Sequence, residues 1–400
     1  MHKHSVSFIL LVAALALPLA IEAAPAPVTS ATTQASATTQ RDPAVQRVAL
    51  SWNGQHLAFI DATGGQARVE LGAWPFRTMH VVDVGAGCRP VDLAWGRRSA
   101  LLAILSQCGG GTAAADTTIA VIAPGNDGAA RIVTRFAGSA RHLRWGPYGE
   151  RIGFLFTPRA GAAQGVAVVQ ASGGQPEIVT PRDLDVRAFT WAWHSLRIAY
   201  TATPRSDAAS GSAKLYVQMA SATAQPQVLA DPSIAHSVVQ GLQLALPRWS
   251  PSRYPGHILF IGGHAGSHGA VAGDIYSVRS TGGPVVNLTP NVHVKPSWFT
   301  FMDRWSLLAT QVSGNEVQVT QYARFDHGLA RQGRIWFGVA GALGNGRHAF
   351  GIATSGTHPR RIAYAAMLPG AAPTVHAGFL QGQPPPAVAP AGNAVADTAN

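Results

Sequence analysis

Short runs of Val, Ile, Leu, Phe and Ala recur along this chain, each bounded by Gly, Pro, Asn or Ser. They are too short for amphipathic helices and too continuous for half-solvated strands, so they read as buried β-strands joined by tight turns. The runs fall into repeated phrases. Residues 50–62 (LSWNGQHLAFIDA), 143–157 (LRWGPYGERIGFLFT), 189–202 (FTWAWHSLRIAYTA) and 247–261 (PRWSPSRYPGHILFI) share one plan: an apolar lead-in, a Trp, a polar turn and an apolar run. Trp52, Trp95, Trp145, Trp191, Trp249 and Trp298 mark these phrases at intervals of 43, 50, 46, 58 and 49 residues. Strand-rich repeats of this length are the signature of propeller blades.

The expected fold is therefore all-β: a β-propeller of seven four-stranded antiparallel blades, with six or eight as alternatives because the first and last units are degenerate. The units are placed near 46–90, 91–136, 140–182, 187–235, 243–290, from 294, and 334–378. Unit one shows strands at Val48–Leu50, His56–Ile60 and Met79–Val84; unit seven lacks the Trp but keeps His348–Ala353 and Arg361–Ala366. A blade cannot cover both its faces alone, so the six tryptophans are read as large apolar blocks between adjacent blades.

Composition agrees with many short strands and few helices. Apolar residues make up 47% and charged residues 12% of the chain, with 43 Gly and 27 Pro. The formal charge is +11, but the arginines are scattered, with no basic run and no recognition helix, so nucleic acid is not an expected partner. At the N-terminus, Lys3 precedes the apolar stretch Phe8–Ile21 and the small residues around Ala23 and Ala24, which reads as an export signal over 1–24. Retention of that segment as an anchor is the alternative. Residues 25–44 read as a disordered linker, 45–380 as the propeller, and 381–400, with Pro384–Pro386, as a disordered tail. The mature protein is expected to be soluble and periplasmic or secreted, with membrane association only if the N-terminal segment stays. Oxidising surroundings favour a disulfide between Cys88 and Cys108, which flank neighbouring strands of unit two.

The phrases resemble the propeller repeats that read W-S-P-D-G-x-x-I/L-A-F/Y and close on a Gly-Gly turn and an L-T phrase. Trp52-Asn53-Gly54-Gln55-His56-Leu57-Ala58-Phe59 follows the opening, with Asn53 at the usual Asp position. Asp274–Val278 followed by Gly282–Thr289 follows the closing phrase, and Gly173–Thr180 is similar. Such repeats occur in TolB-like periplasmic proteins and in the N-terminal propellers of prolyl-oligopeptidase-type peptidases. The resemblance covers about 45–380 and implies a propeller without the peptidase catalytic domain: no G-x-S-x-G elbow is present, and only low-complexity residues follow the last unit.

No catalytic residues, metal ligands or cofactors are assigned. His257, His264 and His268 gather near the Gly-rich insertion 262–273, and His293, His327, His348 and His358 are spread over the last two units, but neither group has a recognised ligand spacing. Binding fits better. The long inter-strand loops 109–117, 203–213 and 262–273, with His264 and His268, are candidate binding loops, and Trp74, Phe76 and Arg77 are candidate interface anchors. The expected function is an exported, non-catalytic propeller scaffold that binds a protein or peptide partner in the cell envelope. The alternatives are a lactonase-like metal-dependent hydrolase with its site at the channel, or a non-catalytic regulator of a separate hydrolase.

Overall fold

The computed structural model describes residues 45–62, 65–109, 116–125, 130–207, 212–251, 256–265, 271–290, 295–301, 306–313, 316–323, 330–336, 353–356, 361–366, 374–379 and 387–388. The segments 1–24 and 25–44, read from the sequence as signal and linker, lie outside them. Among the described residues there are seven antiparallel sheets, each built from four consecutive strands. The fold is an all-β propeller of seven blades. Their first strands are Val45–Leu50, Cys88–Trp95, Ser139–Trp145, Leu184–Trp191, Gln243–Trp249, Pro296–Phe301 and Ala353–Thr354.

Burial follows position in the blade. Second and third strands are sandwiched between neighbouring blades and read almost continuously apolar; His56–Asp61 and Leu102–Cys108 are buried nearly throughout. First strands alternate more, as in Ser139–Trp145, because one side is less covered by neighbouring blades. Six apolar clusters fill the junctions between blades one and two, two and three, three and four, four and five, five and six, and seven and one. The last of these joins Val48, Leu57 and Phe59 to Ala363, Val375 and Ala377, so the terminal blades are joined by packing with no strand exchanged between them.

A repeated frame sits at the end of each first strand. The residue after the strand donates its backbone N–H across the turn in Ser51, Gly96, Gly146, Ala192, Ser250 and Ser355. The strand-end position before it holds Leu50, Trp95, Trp145, Trp191, Trp249 and Thr354, and the register with the second strand places Phe301 there in blade six. The Trp95 indole donates to the Ala49 carbonyl at 3.1 Å and that of Trp145 to Ala94 at 2.9 Å, so each ring is bonded to the preceding blade. The buried Trp191 indole N–H has no such acceptor. Trp52 and Trp298 depart from the frame: Trp52 lies in the turn beyond Leu50, and Trp298 stands three residues before the end of its strand. Spacing alone locates a Trp to within a few residues, and here those residues separate blade end from turn.

Three boundaries differ from the sequence reading. Arg68–Ala73 is a strand of blade one, although its Glu and Gly obscured the apolar run. Ala330–Trp336 belongs to blade six, beyond the expected start of unit seven at 334. Ala387–Val388 is the fourth strand of blade seven and falls within 381–400, the expected tail. Cys88 and Cys108 pair directly in register and form the disulfide, closing a separation of 20 residues.

Two stability measurements test this frame. Trp145→Phe and Trp191→Phe remove similar volume from similarly buried sites, but only the first loses an indole hydrogen bond. Chemical denaturation should show Trp145→Phe to be the more destabilised by about 1 kcal/mol; equal losses would contradict the bonding described. Replacing both cysteines by Ser frees a loop of 20 residues, and this should lower stability by about 3 kcal/mol.

Candidate functional site

The first strands of blades one to six lie against one another in turn, and that of blade seven lies against that of blade one. Their charges are unbalanced. They carry Arg47, Arg89, Arg141, Arg144, Arg187 and Arg248 against only Asp92 and Asp185. A bulge interrupts nearly every first strand three or four residues before its end, as between Val45 and Arg47, Pro90 and Asp92, or Val186 and Ala188. In blade three the bulge places His142 at φ 57°, and in blade five Leu246 at φ 48°. An extra residue re-aims the side chains around it, which is how these strands bring several charges towards one axis.

Asp92 is the hub. It is buried, receives the Leu143 backbone N–H of blade three at 2.9 Å and lies 3.3 Å from Arg47 Nε of blade one. Three blades therefore meet on one carboxylate. Arg144 is crowded by neighbouring protein yet exposed to solvent. Burial lowers its pKa, the Asp92 charge opposes the shift, and the Arg47 charge adds to it. Burial, and then the Arg144 charge, also lower that of Arg248, whose Nε is 3.5 Å from the Phe299 carbonyl. Guanidinium groups remain protonated at neutral pH despite such shifts. Arg141 donates to Gln164 Oε1 at 2.7 and 3.2 Å, and the Gln164 backbone donates to Asp185 at 3.0 Å. Among the described residues, Arg141, Arg144, Arg187 and Arg248 have no carboxylate within ion-pair distance. The interior thus holds several positive charges that feel one another and one buried aspartate. An anion entering it would relieve that repulsion.

The residues singled out from the sequence lie elsewhere. Phe76 is buried between the terminal blades, and Trp74 packs edge-on against it at 5.1 Å with the Arg361 guanidinium 4.1 Å above its ring. Only Arg77 of that trio is exposed. The apolar composition that suggested an anchor is satisfied by ring closure. His264 is exposed at the end of the strand His257–Ala265, and His268 lies outside the described residues. No group of three His, Cys, Asp or Glu side chains suited to a metal occurs among the described residues. The arginine set was missed because its members are far apart in sequence. The signal was nonetheless present: Arg144-Trp145 and Arg248-Trp249 place Arg at the same repeat position.

No protein-family model matches the sequence, and no curated protein does. Solved structures do. The β-propeller domain of the Trilobed protease from Pyrococcus furiosus, described as having an open velcro topology, superposes with TM-score 0.54 at 9% identity over 84% of this chain and 97% of that one. A prolyl endopeptidase superposes with TM-score 0.53 at 12% identity over 80% of this chain but only 46% of its own. A putative TolB from Agrobacterium tumefaciens aligns with TM-score 0.41 at 12% identity over 73% of this chain and 81% of that one. At such identities the shared property is the fold alone, a β-propeller. In this chain each terminal blade is built from four consecutive strands of its own.

His142 gives a direct test of the channel's electrostatics. Burial first, and then the Arg144 charge, hold its pKa down to about 3, with Asp92 acting in the opposite sense. The unfolded chain has the ordinary value near 6.5 and so binds a proton that the folded protein refuses between those two values. The stability from neutral His142 is present above about pH 6.5 and is lost as pH falls towards 3. Denaturation midpoints should therefore fall less steeply over this range for His142→Asn than for the wild type. An imidazole titrating near pH 6 by NMR would contradict the description.

Proposed function

We propose that this protein is an exported, non-catalytic propeller that binds an acidic segment of a protein partner in its arginine-lined channel. The observation that carries the reading is the excess of arginine over aspartate on the first strands, with the Arg144 charge acting on Arg248. Guanidinium groups hold carboxylates by two parallel, charge-assisted bonds, and they do not exchange protons at neutral pH. The chemistry displayed is recognition. Export is supported by the signal-like N-terminus and by the Cys88–Cys108 disulfide, which suits an oxidising compartment such as the periplasm.

The experiment is fluorescence anisotropy with a labelled oligo-glutamate peptide and an oligo-lysine control, at low and at moderate salt. Glutamate peptide should bind and weaken with salt, while lysine peptide should not bind. Arg144→Ala combined with Arg248→Ala should weaken glutamate binding at least about tenfold, from the loss of charge-assisted hydrogen bonds. Absence of glutamate binding, or binding untouched by the double substitution, would overturn the proposal. Turnover of a lactone or peptide substrate that depends on an added divalent metal would instead favour a hydrolase.

A further inference from the structure

At the end reached by the last residues of the first strands, the turns following them converge. Trp52 of blade one and Trp193 of blade four meet edge-to-face, with ring centroids 5.4 Å apart. Blades one and four are not neighbours in a ring of seven, so this contact crosses the mouth of the channel. Arg97 of blade two lies 4.4 Å from the centroid of Trp52 and 4.3 Å from that of Trp193, touching both rings at once.

Further bonds tie the same group into the ring. The Trp193 indole donates to the Trp249 carbonyl of blade five at 2.7 Å, and Gly356 of blade seven donates its backbone N–H to the Trp52 carbonyl at 2.7 Å. Gly356 also lies flat under the Trp52 ring, where any Cβ would collide. Beside them, Tyr148 of blade three donates to the His194 carbonyl of blade four at 2.7 Å, and Arg98 of blade two stands 5.4 Å over the Tyr148 ring. Turns from blades one, two, three, four, five and seven are thus joined at this one mouth. Each cation–π contact at a partly desolvated site is a favourable term of its own.

We infer that the Trp52–Arg97–Trp193 group stops this mouth, so that the channel is a blind site that accepts the free C-terminal end of an acidic chain and not an internal stretch. The inference rests on the acidic-segment reading above and sharpens it. A strand threading through would have to part the two indoles and expel Arg97. A chain end needs only the opposite mouth. Between the two termini of a polypeptide, the carboxylate suits an interior containing Arg47, Arg141, Arg144 and Arg248, whereas an ammonium group would add to their repulsion.

The test uses the full mature protein and three oligo-glutamate peptides, all labelled at the N-terminus: one with a free C-terminal carboxylate, one amidated there, and one extended there by a neutral Gly/Ser stretch. The free acid should bind best, with amidation and extension each weakening it tenfold or more. Equal affinity for free and extended peptides would overturn the blind-end inference while leaving the acidic-segment reading intact. Binding of none of the three would overturn both. A second variant, Trp52→Ala with Trp193→Ala, unstops the mouth and should recover binding of the extended peptide to within a few-fold of the free acid. If it folds, as judged by its melting transition, and still rejects the extended peptide, the stopper assignment is wrong. If it fails to fold, the comparison of the three peptides on the wild type decides alone.

Discussion

Every sheet in this molecule has two apolar faces and can cover neither by itself. The remedy is the neighbouring blade, and this constraint shapes the rest of the structure. It makes the second and third strands continuously apolar, because they are buried on both sides. It calls for a large strand-end residue at most junctions, which Trp95, Trp145, Trp191, Trp249 and Phe301 supply. It also forces ring closure: blade seven would expose Ala363 and Val375 if blade one did not receive them with Leu57 and Phe59. The indole bonds of Trp95 and Trp145 to the preceding blade add direction to an otherwise non-directional contact.

Once the apolar faces are satisfied by neighbours, the inner edges of the first strands are left with little packing to do. They are where charge can be placed without spoiling the core. Asp92 organises that space by holding Arg47 and the Leu143 backbone together, while Arg144 and Arg248 extend into it with no carboxylate within ion-pair distance among the described residues. The Arg144 charge acts on Arg248 across this space, and the surrounding blades hold the two in place. A site maintained in that condition is poised for an anion. The aromatic group at one mouth then gives the channel a direction.

The repeat period and the alternation of runs with turns revealed the blades because inter-blade burial acts on every copy of the phrase. The Cys88–Cys108 bridge was legible from the strands flanking it. Legibility failed where single residues mattered. Trp52 sits in the phrase yet belongs to the mouth, and Trp74 and Phe76 look like surface anchors yet close the ring. The arginines of the channel are scattered in sequence because a propeller gathers its axis from one position in each distant repeat. Aligning the copies on the Trp places Arg144 and Arg248 at one repeat position, but shows nothing of the space they share. Nothing in the sequence indicates that Arg97 reaches the indoles of both Trp52 and Trp193, since that contact depends on the ring being closed.

The most direct measurement is a crystal structure of the mature protein grown with an oligo-glutamate peptide. Peptide density is expected inside the channel, with carboxylate oxygens within hydrogen-bonding distance of Arg144 and Arg248. Peptide bound on the outer strands or rim loops, with only solvent between those two arginines, would contradict it.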